Sequence, residues 1–523
     1  MNAHGTRKWW ALGALVLAVL AVGLDGTVLS VALPTLAVKL RASESDLQWF
    51  SSGYFLVLAA AMLPAGLLGD RFGRKKTLLV ALALFGAGSA ACAYASSAGA
   101  FIAARVALGL AGAGIIVMAL SALTVLFDEQ ERPRAVGVWA AANFLALPIG
   151  PILGGWLLTH YWWGWVFLMN VPVALVGLIA ALALVPESRA AERPGLDPIG
   201  MLSSVAGLVA VTYGLIVAGE HGWGHAGALA PIALGLALLV GFFLWERRLS
   251  RRPGGQPLID LTLFRSAAFT WGVILQAILV LAMIGALFTM PQYFQGVKGA
   301  DAMGSGARLL PLIAGLVVGA LPADRLARLI GAKLAVALGF VLVAAGMALG
   351  ATTSVSSSVA FVAAWMAVVG AGLGVTLATA ASAALSELTE ERSGVGSAVM
   401  QALQKVGGPF GTAILGSVLS SVYIAHLRLD GLPAPLASAA RQSLFGGVAV
   451  ATRLHSAALP VSSVRGAFVT GMDVSLVVAA GMAVAGLILA LLFMPARSGA
   501  PKSPTAPSSV EQTGGKLAES RSR

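Results

Sequence analysis

The stretch GLLGDRFGRKKTL, residues 66–78, places five charged side chains in a short loop between two apolar segments, 47–68 and 77–95. Each segment is long enough to cross a bilayer as a helix, so the loop is predicted to join two membrane spans. A basic loop of this kind is typical of the cytoplasmic face. A plain basic loop, however, needs neither the acidic Asp70 nor glycines at fixed positions, so we predict a further role for it.

The composition indicates an all-α polytopic membrane protein. Of the 523 residues, 58% are hydrophobic and 11% are charged, and the mean hydropathy is +0.88; soluble domains carry about 25% charged residues. The single cysteine, Cys92, excludes an internal disulfide and cysteine-based metal sites, and the six histidines are scattered. We therefore expect no metal centre, no cofactor and no catalytic residues. The net charge of +12 follows from the membrane topology described below, and we expect no nucleic acid partner.

Hydropathy along the chain predicts fourteen membrane spans with both termini in the cytoplasm. When Arg308 and Lys333 at span ends are counted with the adjoining loops, this orientation assigns 24 Lys and Arg residues to inner loops and tails and 8 to outer loops, with Arg105 and Lys405 deeper inside spans. The first apolar run is too long for a signal peptide and has no small-residue cleavage site, so we predict that it is the first span. The predicted spans are 9–33, 47–68, 77–95, 99–126, 136–158, 165–185, 199–219, 227–245, 268–294, 305–323, 333–351, 358–385, 394–422 and 469–494.

Two internal similarities predict that the chain is built from two related halves. The segment that begins at Gly112 is similar to the one that begins at Gly372, and Asp70 recurs as Asp324. Both offsets equal eight predicted spans, so spans 1–6 correspond to spans 9–14, and spans 7 and 8 are inserted between them. Internal repeats of this kind are found in transporters whose substrate site lies between the halves.

We predict four regions along the chain. Residues 1–186 form an N-terminal six-helix bundle, and residues 187–266 contain the two inserted spans and a basic cytoplasmic loop. Residues 267–497 form a C-terminal six-helix bundle with a long outer loop, 423–468, in which we predict two short helices. Residues 498–523 are rich in Ser, Pro, Lys and Gly and are predicted to be a disordered cytoplasmic tail.

The loop at residues 66–78 matches the signature G-x-L-x-D-R-x-G-R-K-x-x-L of the major facilitator superfamily, which the chain resembles over most of its length. The resemblance implies the major facilitator fold, with two six-helix bundles plus the two inserted helices. In the family, the acidic residue of this loop caps a helix of the other half and helps to hold the outward-open state. The resemblance therefore implies a conformational latch. Its residues here are Asp70, Arg71, Gly73 and Arg74, with Asp128 as a further partner.

A second motif indicates export. ALPIGPILGG, residues 146–155, resembles the antiporter motif of span 5, and Gly150, Pro151, Gly154 and Gly155 match it. Small residues allow close helix contact and proline bends a span, so generic packing is the alternative explanation. The chain resembles the fourteen-span drug:proton antiporter branch, the QacA-like multidrug exporters. This implies secondary active efflux of amphipathic compounds in exchange for protons, by a monomer in the bacterial inner membrane, with no cofactor besides the proton gradient.

LDGTVLSVALP, residues 24–34, contains the only ionisable side chain of the first span. An aspartate at the centre of a membrane helix costs about 2.5–3.5 kcal/mol, so Asp25 requires a partner or a function. At 1.5 Å per residue, Asp25 lies roughly 13 Å and Arg105 roughly 9 Å below the outer ends of their spans, so we predict that they pair. We hypothesise that Asp25 carries the coupling proton and that Arg105 tunes it. A static ion pair that holds two helices together is the alternative.

Several polar and aromatic side chains are candidates for the substrate cavity, although each of them alone is as readily explained by packing. Ser52, Gln401 and Lys405 occur in spans where QacA-like cation exporters often carry acidic residues, which argues against a broad range of cationic substrates. Lys405 either has a structural role or lines the cavity and favours neutral, zwitterionic or anionic compounds. The candidates are Trp49, Tyr54, Asn143, Phe144, Gln276, Tyr293, Gln401 and Lys405.

Three other functions are weighed against multidrug export. A dedicated exporter of one natural product or metabolite is the alternative within transport. An integral-membrane enzyme would need a cluster of ionisable or nucleophilic residues, and the spans of the first half contain only Asp25 and Arg105 as charged residues. A passive channel is disfavoured because two related halves with a latch motif suit alternating access. No Walker motif for ATP binding is present.

Overall fold

The computed structural model describes residues 3–128, 130–189, 197–252, 255, 257–386, 390–429, 432–454 and 459–495. Within these ranges the chain is helical and contains no strand. The helices are α1 (Ala3–Lys39), α2 (Glu44–Phe72), α3 (Arg74–Ala93), α4 (Ala98–Leu126), α5 (Arg132–His160), α6 (Trp165–Leu168), α7 (Asn170–Leu184), α8 (Pro198–His221), α9 (Ala226–Leu249), α10 (Ala267–Gln292), α11 (Ala302–Arg308), α12 (Leu310–Ala320), α13 (Ala323–Ile330), α14 (Ala332–Gly350), α15 (Val359–Ser386), α16 (Glu390–His426), α17 (Ala434–Gln442), α18 (Leu444–Leu454) and α19 (Val461–Phe493). A 3₁₀ turn, Leu261–Arg265, precedes α10, and a π-helical turn, Tyr293–Val297, follows it.

Each of the fourteen predicted spans coincides with helix. In the described part of the chain, thirteen helical segments are long and apolar enough to cross a membrane. The fifth predicted span corresponds to α5, whose described apolar stretch is Leu145–His160. The sixth span is divided into α6 and α7, and the tenth into α11 and α12. The count of fourteen crossings and the cytoplasmic termini stay predictions, and "outer" and "inner" below refer to that predicted orientation.

The helices form two bundles with an inserted pair. In the N-terminal bundle α2 packs on α4, α1 on α5 and α3 on α7. In the C-terminal bundle α15 packs on α12 and α14, α10 on α16 and α14 on α19. The inserted helices α8 and α9 pack on each other, and α8 also contacts α2 and α16. This arrangement agrees with two related halves and an inserted pair of helices. The exact domain boundaries stay predictions.

Side-chain caps define where α2 and α4 begin. Ser43 Oγ accepts a hydrogen bond from Asp46 N (3.1 Å), and the Asp46 carboxylate accepts one from Ser43 N (2.9 Å), so a capping box begins α2. Ser97 Oγ accepts a hydrogen bond from Ala100 N (3.2 Å) at the start of α4. Because α2 and α4 both begin at the outer side, Phe50 and Arg105 lie at similar depths, about 9 to 11 Å from those starts.

The two bundles contact each other in the outer half of the spans. Ser51 Oγ and Thr412 Oγ1 are 3.4 Å apart, and Ser52 Oγ donates a hydrogen bond to Pro409 O (3.3 Å). The π-helical turn after α10 adds a further contact, in which Gln295 Nε2 donates to the Val31 carbonyl on α1 (3.0 Å). Towards the outer end, Gln292 Nε2 donates to Glu44 (3.3 Å). The structure therefore joins the halves on their outer side.

The outer connection before the last span is shorter than predicted. Helix α16 continues to His426 and α19 begins at Val461, so the connection covers residues 427–460 and not 423–468. These helices extend past the apolar segments because the backbone hydrogen bonds of a helix do not depend on the hydropathy of its side chains. The two predicted short helices are confirmed as α17 and α18. Tyr423 Oη donates to the carbonyl of Ala440 in α17 (2.9 Å), which anchors the pair on α16. The predicted tail at 498–523 lies outside the described residues.

Candidate functional site

The charged loop between α2 and α3 folds back on its own half of the chain. Arg74 Nε donates a hydrogen bond to Asp70 Oδ1 (2.9 Å), and the two residues form an ion pair. Gly73 has a φ of +119°, and a Cβ there would lie 2.7 Å from Glu187 Oε1, so this turn requires glycine. Among the described residues, Asp70 makes no bond to the C-terminal half, and the exposed Asp128 has no side-chain partner. The latch role of these residues stays a prediction.

The segment that follows α7 holds this loop in place. Arg74 N donates to the Ser188 carbonyl (2.9 Å), and Lys75 N donates to Glu187 Oε1 (3.2 Å). The Arg71 guanidinium lies over the ring of Phe72, 5.7 Å from its centroid. In this state the charges of the loop are therefore bound within the N-terminal half.

The glycines of the antiporter motif are contact points of α5 with two different partners. A Cβ at Gly150 would lie 2.0 Å from Thr27 Oγ1, and one at Gly154 would lie 2.7 Å from a side chain of α1. Gly155 faces the other half, because its Cβ would lie 2.7 Å from the Ala302 carbonyl oxygen at the start of α11. The motif thus allows α5 to pack on α1 and, at the same time, on the C-terminal bundle.

The partner helix carries a matching glycine. A Cβ at Gly306 of α11 would lie 2.2 Å from the Pro151 carbonyl oxygen. Thr27 Oγ1 also donates a hydrogen bond to the Ala146 carbonyl of α5 (3.0 Å), which orients α1 on the other side of the motif. The glycines therefore bring α5 close to side chains of α1 on one side and to the backbone of α11 on the other. The contact between α5 and α11, called the outer seam below, joins the two halves and has little room for larger side chains.

Asp25 and Arg105 form an ion pair, with exposed fractions of 1% and 0%. The prediction that these two residues pair is confirmed. Asn170 Nδ2 donates to Asp25 Oδ1 (3.1 Å) and lies 3.3 Å from Ser89 Oγ, to which it also donates. Arg105 Nε donates to the Phe50 carbonyl (3.0 Å). One polar network therefore connects α1, α2, α3, α4 and α7 inside the N-terminal bundle.

The guanidinium of Arg105 is covered by an aromatic ring. Its central carbon lies 4.2 Å from the ring centroid of Tyr54, within the range of a cation–π contact. Tyr54 is itself held by a hydrogen bond from its Oη to the Val22 carbonyl (2.9 Å). Among the described residues, Arg105 Nη2 has no hydrogen-bond partner although it is buried. The network therefore retains one donor that a water molecule or a shifted carboxylate could use.

Asp25 faces the interior of its bundle, whereas its neighbours along α1 face the other half. A cavity of about 20 Å³ lies between the bundles, with room for about one water molecule. In this state the network around Asp25 is closed off from the space between the halves. The lining of the cavity includes Thr27, Ser30 and Ser51 from the N-terminal half and Ile284, Leu287 and Phe288 from the C-terminal half.

The C-terminal half contributes a group of polar side chains from α10 and α16. Gln404 Nε2 donates to Gln276 Oε1 (3.3 Å), and Gln276 Nε2 lies 3.5 Å from Met400 Sδ. Gln401 and Lys405, on α16, are half-buried, and neither has a side-chain partner among the described residues. Lys405 therefore lies near the middle of its span without an acidic side chain bound to it among the described residues.

The other predicted cavity residues have different environments. Trp49 is half-buried beside Tyr213 of α8, with ring centroids 6.5 Å apart, so it packs against the inserted pair. Tyr293 is fully buried, and its Oη donates to the Ser354 carbonyl (3.1 Å). Tyr54 belongs to the Arg105 network. The side chains of Asn143 and Phe144 lie outside the described residues.

Sequence reasoning missed four polar residues of the spans. Asn170, Ser89 and Gln404 belong to the two polar groups above, and each had a signal, because a buried polar side chain in a membrane needs a partner. Asp473 lies in the last span, half-buried, and its Oδ1 has no hydrogen-bond partner among the described residues. A count of acidic residues in every predicted span would have found it.

Comparison with known proteins identifies the family. The profile of the Major Facilitator Superfamily matches residues 15–197 and 199–412. The chain belongs to the major facilitator superfamily. Membership makes it a carrier that transports by conformational change, and the apolar helices make it a multi-pass protein of the bacterial cell membrane.

Two similar proteins are named for export or efflux. This facilitator is 32% identical over 497 residues to the tetracenomycin C resistance and export protein of Streptomyces glaucescens. This match covers 93% of this chain and 91% of that protein. The facilitator is 32% identical over 484 residues to the multidrug efflux pump LfrA of Mycolicibacterium smegmatis, covering 92% and 95%. The facilitator is thus an efflux transporter of the drug-resistance type.

Solved structures share the fold of this facilitator. A bacterial homologue of the human lysosomal transporter Spinster, in an inward-facing and unoccupied conformation, has a TM-score of 0.65 at 17% identity, covering 93% of this chain and 97% of that one. A D-xylose–proton symporter has a TM-score of 0.59 at 15% identity, covering 93% and 98%. At these identities the comparison defines the fold alone.

Proposed function

We propose that this facilitator exports amphipathic drug-like compounds in exchange for protons and that Asp25 takes up and releases the coupling proton. The observation that carries the proposal is the fully buried Asp25–Arg105 ion pair. A buried carboxylate in a membrane helix is costly, and such residues typically mark proton or ion pathways. The glycine-rich seam of α5 supports the same proposal, since it brings the halves together on the outer side.

The network gives Asp25 two stable arrangements with different charge. As an anion, Asp25 is held by Arg105 and Asn170, as the structure has it. As a neutral acid, it no longer balances the charge of Arg105, which must then find another acceptor or another position. Protonation therefore changes the relative stability of the packing of α1 against α4 and α7. By linkage, the packing change alters the proton affinity of Asp25 by the same factor by which protonation shifts the equilibrium between the two packings.

The charged loop is proposed as the latch of the opposite state. In the present state the halves are joined on the outer side, and Asp70 is bound to Arg74 of its own loop. An outward-open state would bring the inner ends of the two bundles together. Asp70 would then exchange Arg74 for the N-terminal end of a helix of the other half, where a carboxylate is favourable. The same charge thus stabilises different contacts in the two states.

The proposed substrate site lies on the inner side of the closed outer seam, against α10 and α16. It combines the paired amides of Gln276 and Gln404 with the free charge of Lys405. A cation with no carboxylate bound to it disfavours a second cation nearby. We therefore propose that neutral, zwitterionic or anionic amphipathic compounds are preferred over dications.

Proton exchange by the reconstituted transporter tests the proposed function. In inverted vesicles with an acidic interior, we expect addition of a transported compound to release protons from the lumen, because export into the lumen is coupled to proton exit. A panel of lipophilic cations, neutral antibiotics and anionic dyes is added, and the pH gradient is followed with a fluorescent weak base. Vesicles without the transporter are the control. A folded transporter that moves a compound without any proton release would contradict antiport.

A dedicated exporter of one natural product is the second candidate. It is favoured by the relative named for tetracenomycin C resistance and export. The same panel distinguishes the two functions. Release of protons by a single chemical class, with no response to the others, would support the dedicated exporter.

Neutralising Lys405 is expected to widen the substrate range towards cations. Lys405→Gln removes the one free cation of the proposed site while keeping a polar side chain of similar length. We expect transport of anionic dyes to fall and that of lipophilic cations to rise, measured as proton release across the panel. Lys405→Arg keeps the charge and serves as the matched control. Identical substrate profiles for both variants and the wild type would refute the cavity role.

A further inference from the structure

Four arginines surround an open groove at the inner end of α9. The groove has a volume of about 530 Å³ and is lined by Leu244, Arg247, Arg248, Arg251 and Arg252; it is called the arginine groove below. All four arginines are exposed, and among the described residues none of their guanidinium groups has a hydrogen bond or an ion pair. A cytoplasmic loop accounts for basic residues in general, but not for four unpartnered guanidinium groups around one groove.

Polar contacts fix the inner end of α9, where the arginine groove lies. Trp245 Nε1 donates to both carboxylate oxygens of Asp197 (3.0 Å each), and the fully buried Glu246 accepts a hydrogen bond from Ile259 N (3.3 Å). These bonds turn Trp245 and Glu246 towards α8 and the chain that leads to α10. Because an α-helix has 3.6 residues per turn, positions 244, 247 and 248 lie opposite Glu246 on α9. After the helix ends at Leu249, Arg251 N donates to the Arg248 carbonyl (3.3 Å) and Arg252 N to the Leu249 carbonyl (3.1 Å), and this turn places both residues beside the same groove. Bonds of Trp245 and Glu246 and the backbone turn after Leu249 therefore fix the part of the chain that carries the groove.

The same face of α9 continues into the membrane as an apolar stripe. Only 11% of the most apolar stretch of α9 is buried, so most of the helix faces lipid. Leu236, Val240 and Phe243 lie three to four residues apart above the groove and are 52% to 59% exposed. More than half of each of these three side chains is therefore open to the surroundings of the helix. A molecule seated in the groove would thus contact a hydrocarbon surface directly above its charged end.

We infer that the arginine groove binds the phosphate group of an anionic phospholipid of the inner leaflet, with the acyl chains along the apolar stripe of α9. Guanidinium groups bind phosphate through paired, charge-assisted hydrogen bonds, and clusters of basic residues at the cytoplasmic end of a span favour anionic lipid. A free phosphate ion would use the arginines but not the stripe. This site is independent of the proposed proton coupling, since no residue of the Asp25 network lies on α8 or α9.

Lipid binding to the purified full-length transporter tests this inference. Delipidated protein in detergent is titrated with phosphatidylglycerol, and bound lipid is counted by native mass spectrometry. We expect Arg248→Gln/Arg252→Gln to weaken binding about 30-fold, which corresponds to about 2 kcal/mol at about 1.4 kcal/mol per tenfold change. The matched control is Arg325→Gln/Arg328→Gln, which removes two exposed charges from α13 at the same side of the membrane. We expect the control variant to bind phosphatidylglycerol as the wild type does.

Three outcomes would overturn the site. Unchanged binding by Arg248→Gln/Arg252→Gln would exclude the groove as the lipid site. Equal weakening in the control variant would show that the lipid responds only to the overall positive charge of this side of the protein. Displacement of the lipid by an equal concentration of inorganic phosphate would assign the groove to a free anion. Phosphatidylcholine is added as the zwitterionic lipid, and we expect it to bind more weakly than phosphatidylglycerol. All four substituted side chains are exposed, so we expect both variants to fold. The thermal unfolding midpoint of each variant verifies this.

Discussion

Asp25→Asn is expected to abolish proton-driven export and to lower the stability of the transporter. The substitution leaves Arg105 fully buried and without its counter-charge, and breaking a buried ion pair in this way typically costs about 3–5 kcal/mol. Loss of the titratable group removes the proposed proton carrier. Substrate-induced proton release in inverted vesicles measures the first effect, and the thermal unfolding midpoint in detergent measures the second.

A double variant separates these two effects. Asp25→Asn/Arg105→Gln removes both charges, and replacing a buried pair with neutral side chains is often close to neutral for stability. We expect the double variant to unfold near the wild-type temperature and yet to show no proton release. Asp25→Glu keeps the titratable carboxyl and is expected to retain part of the coupling. If the double variant exports with a normal proton response, the pair is a static helix contact and the coupling proposal is wrong.

Gly155→Leu is expected to prevent closure of the outer seam and thereby to stop transport. Even a Cβ at this position would lie 2.7 Å from the Ala302 carbonyl oxygen and from Met303 Cα, and backbone atoms cannot move aside as a flexible side chain can. The larger side chain must therefore separate α5 from α11. Since alternating access needs this contact in the state described here, we expect export to fall to background. Gly155→Ala is expected to give a smaller loss of the same kind.

A thiol probe reports the state of the seam directly. Ser30 lines the small cavity between the halves, so Ser30→Cys should react with a membrane-impermeant maleimide only when the outer side is open. The native Cys92 is fully buried and should contribute little background labelling. We expect Gly155→Leu to increase the labelling rate of Ser30→Cys. Gly137→Leu is the matched control, because a Cβ at Gly137 of the same helix meets no atom within 4 Å. Equal labelling and equal export in the two variants would contradict the role of the seam.

Patterns that are local in the chain predicted much of this molecule. Apolar runs long enough to cross a bilayer predicted the helices, because a membrane helix must satisfy its own backbone and must face hydrocarbon. Counting residues from span ends was enough to predict the Asp25–Arg105 pair, because the rise of a helix is constant. The short helices α17 and α18 were likewise visible in a polar stretch with amphipathic patches.

The direction in which a side chain faces could not be predicted in the same way. In a soluble helix the polar face marks solvent, but lipid chains are as apolar as a packed helix interface, so a membrane helix carries little contrast between its faces. Tyr54 and Tyr293 were therefore assigned to the cavity, whereas the structure packs one on Arg105 and buries the other against Ser354. Trp49 was assigned in the same way and lies against the inserted pair.

The sequence by itself determined the class of the protein, its two-fold repeat, its charged loop and the presence of a buried carboxylate with a cation at the same depth. Only the tertiary structure decided that Asn170 and Ser89 complete the network of Asp25, and that Gly155 contacts the other half while Gly150 contacts α1. The reason is physical: helix formation and insertion depend on residues close together in the chain. Partners on different helices depend on rotations that a nearly uniform apolar surface does not encode.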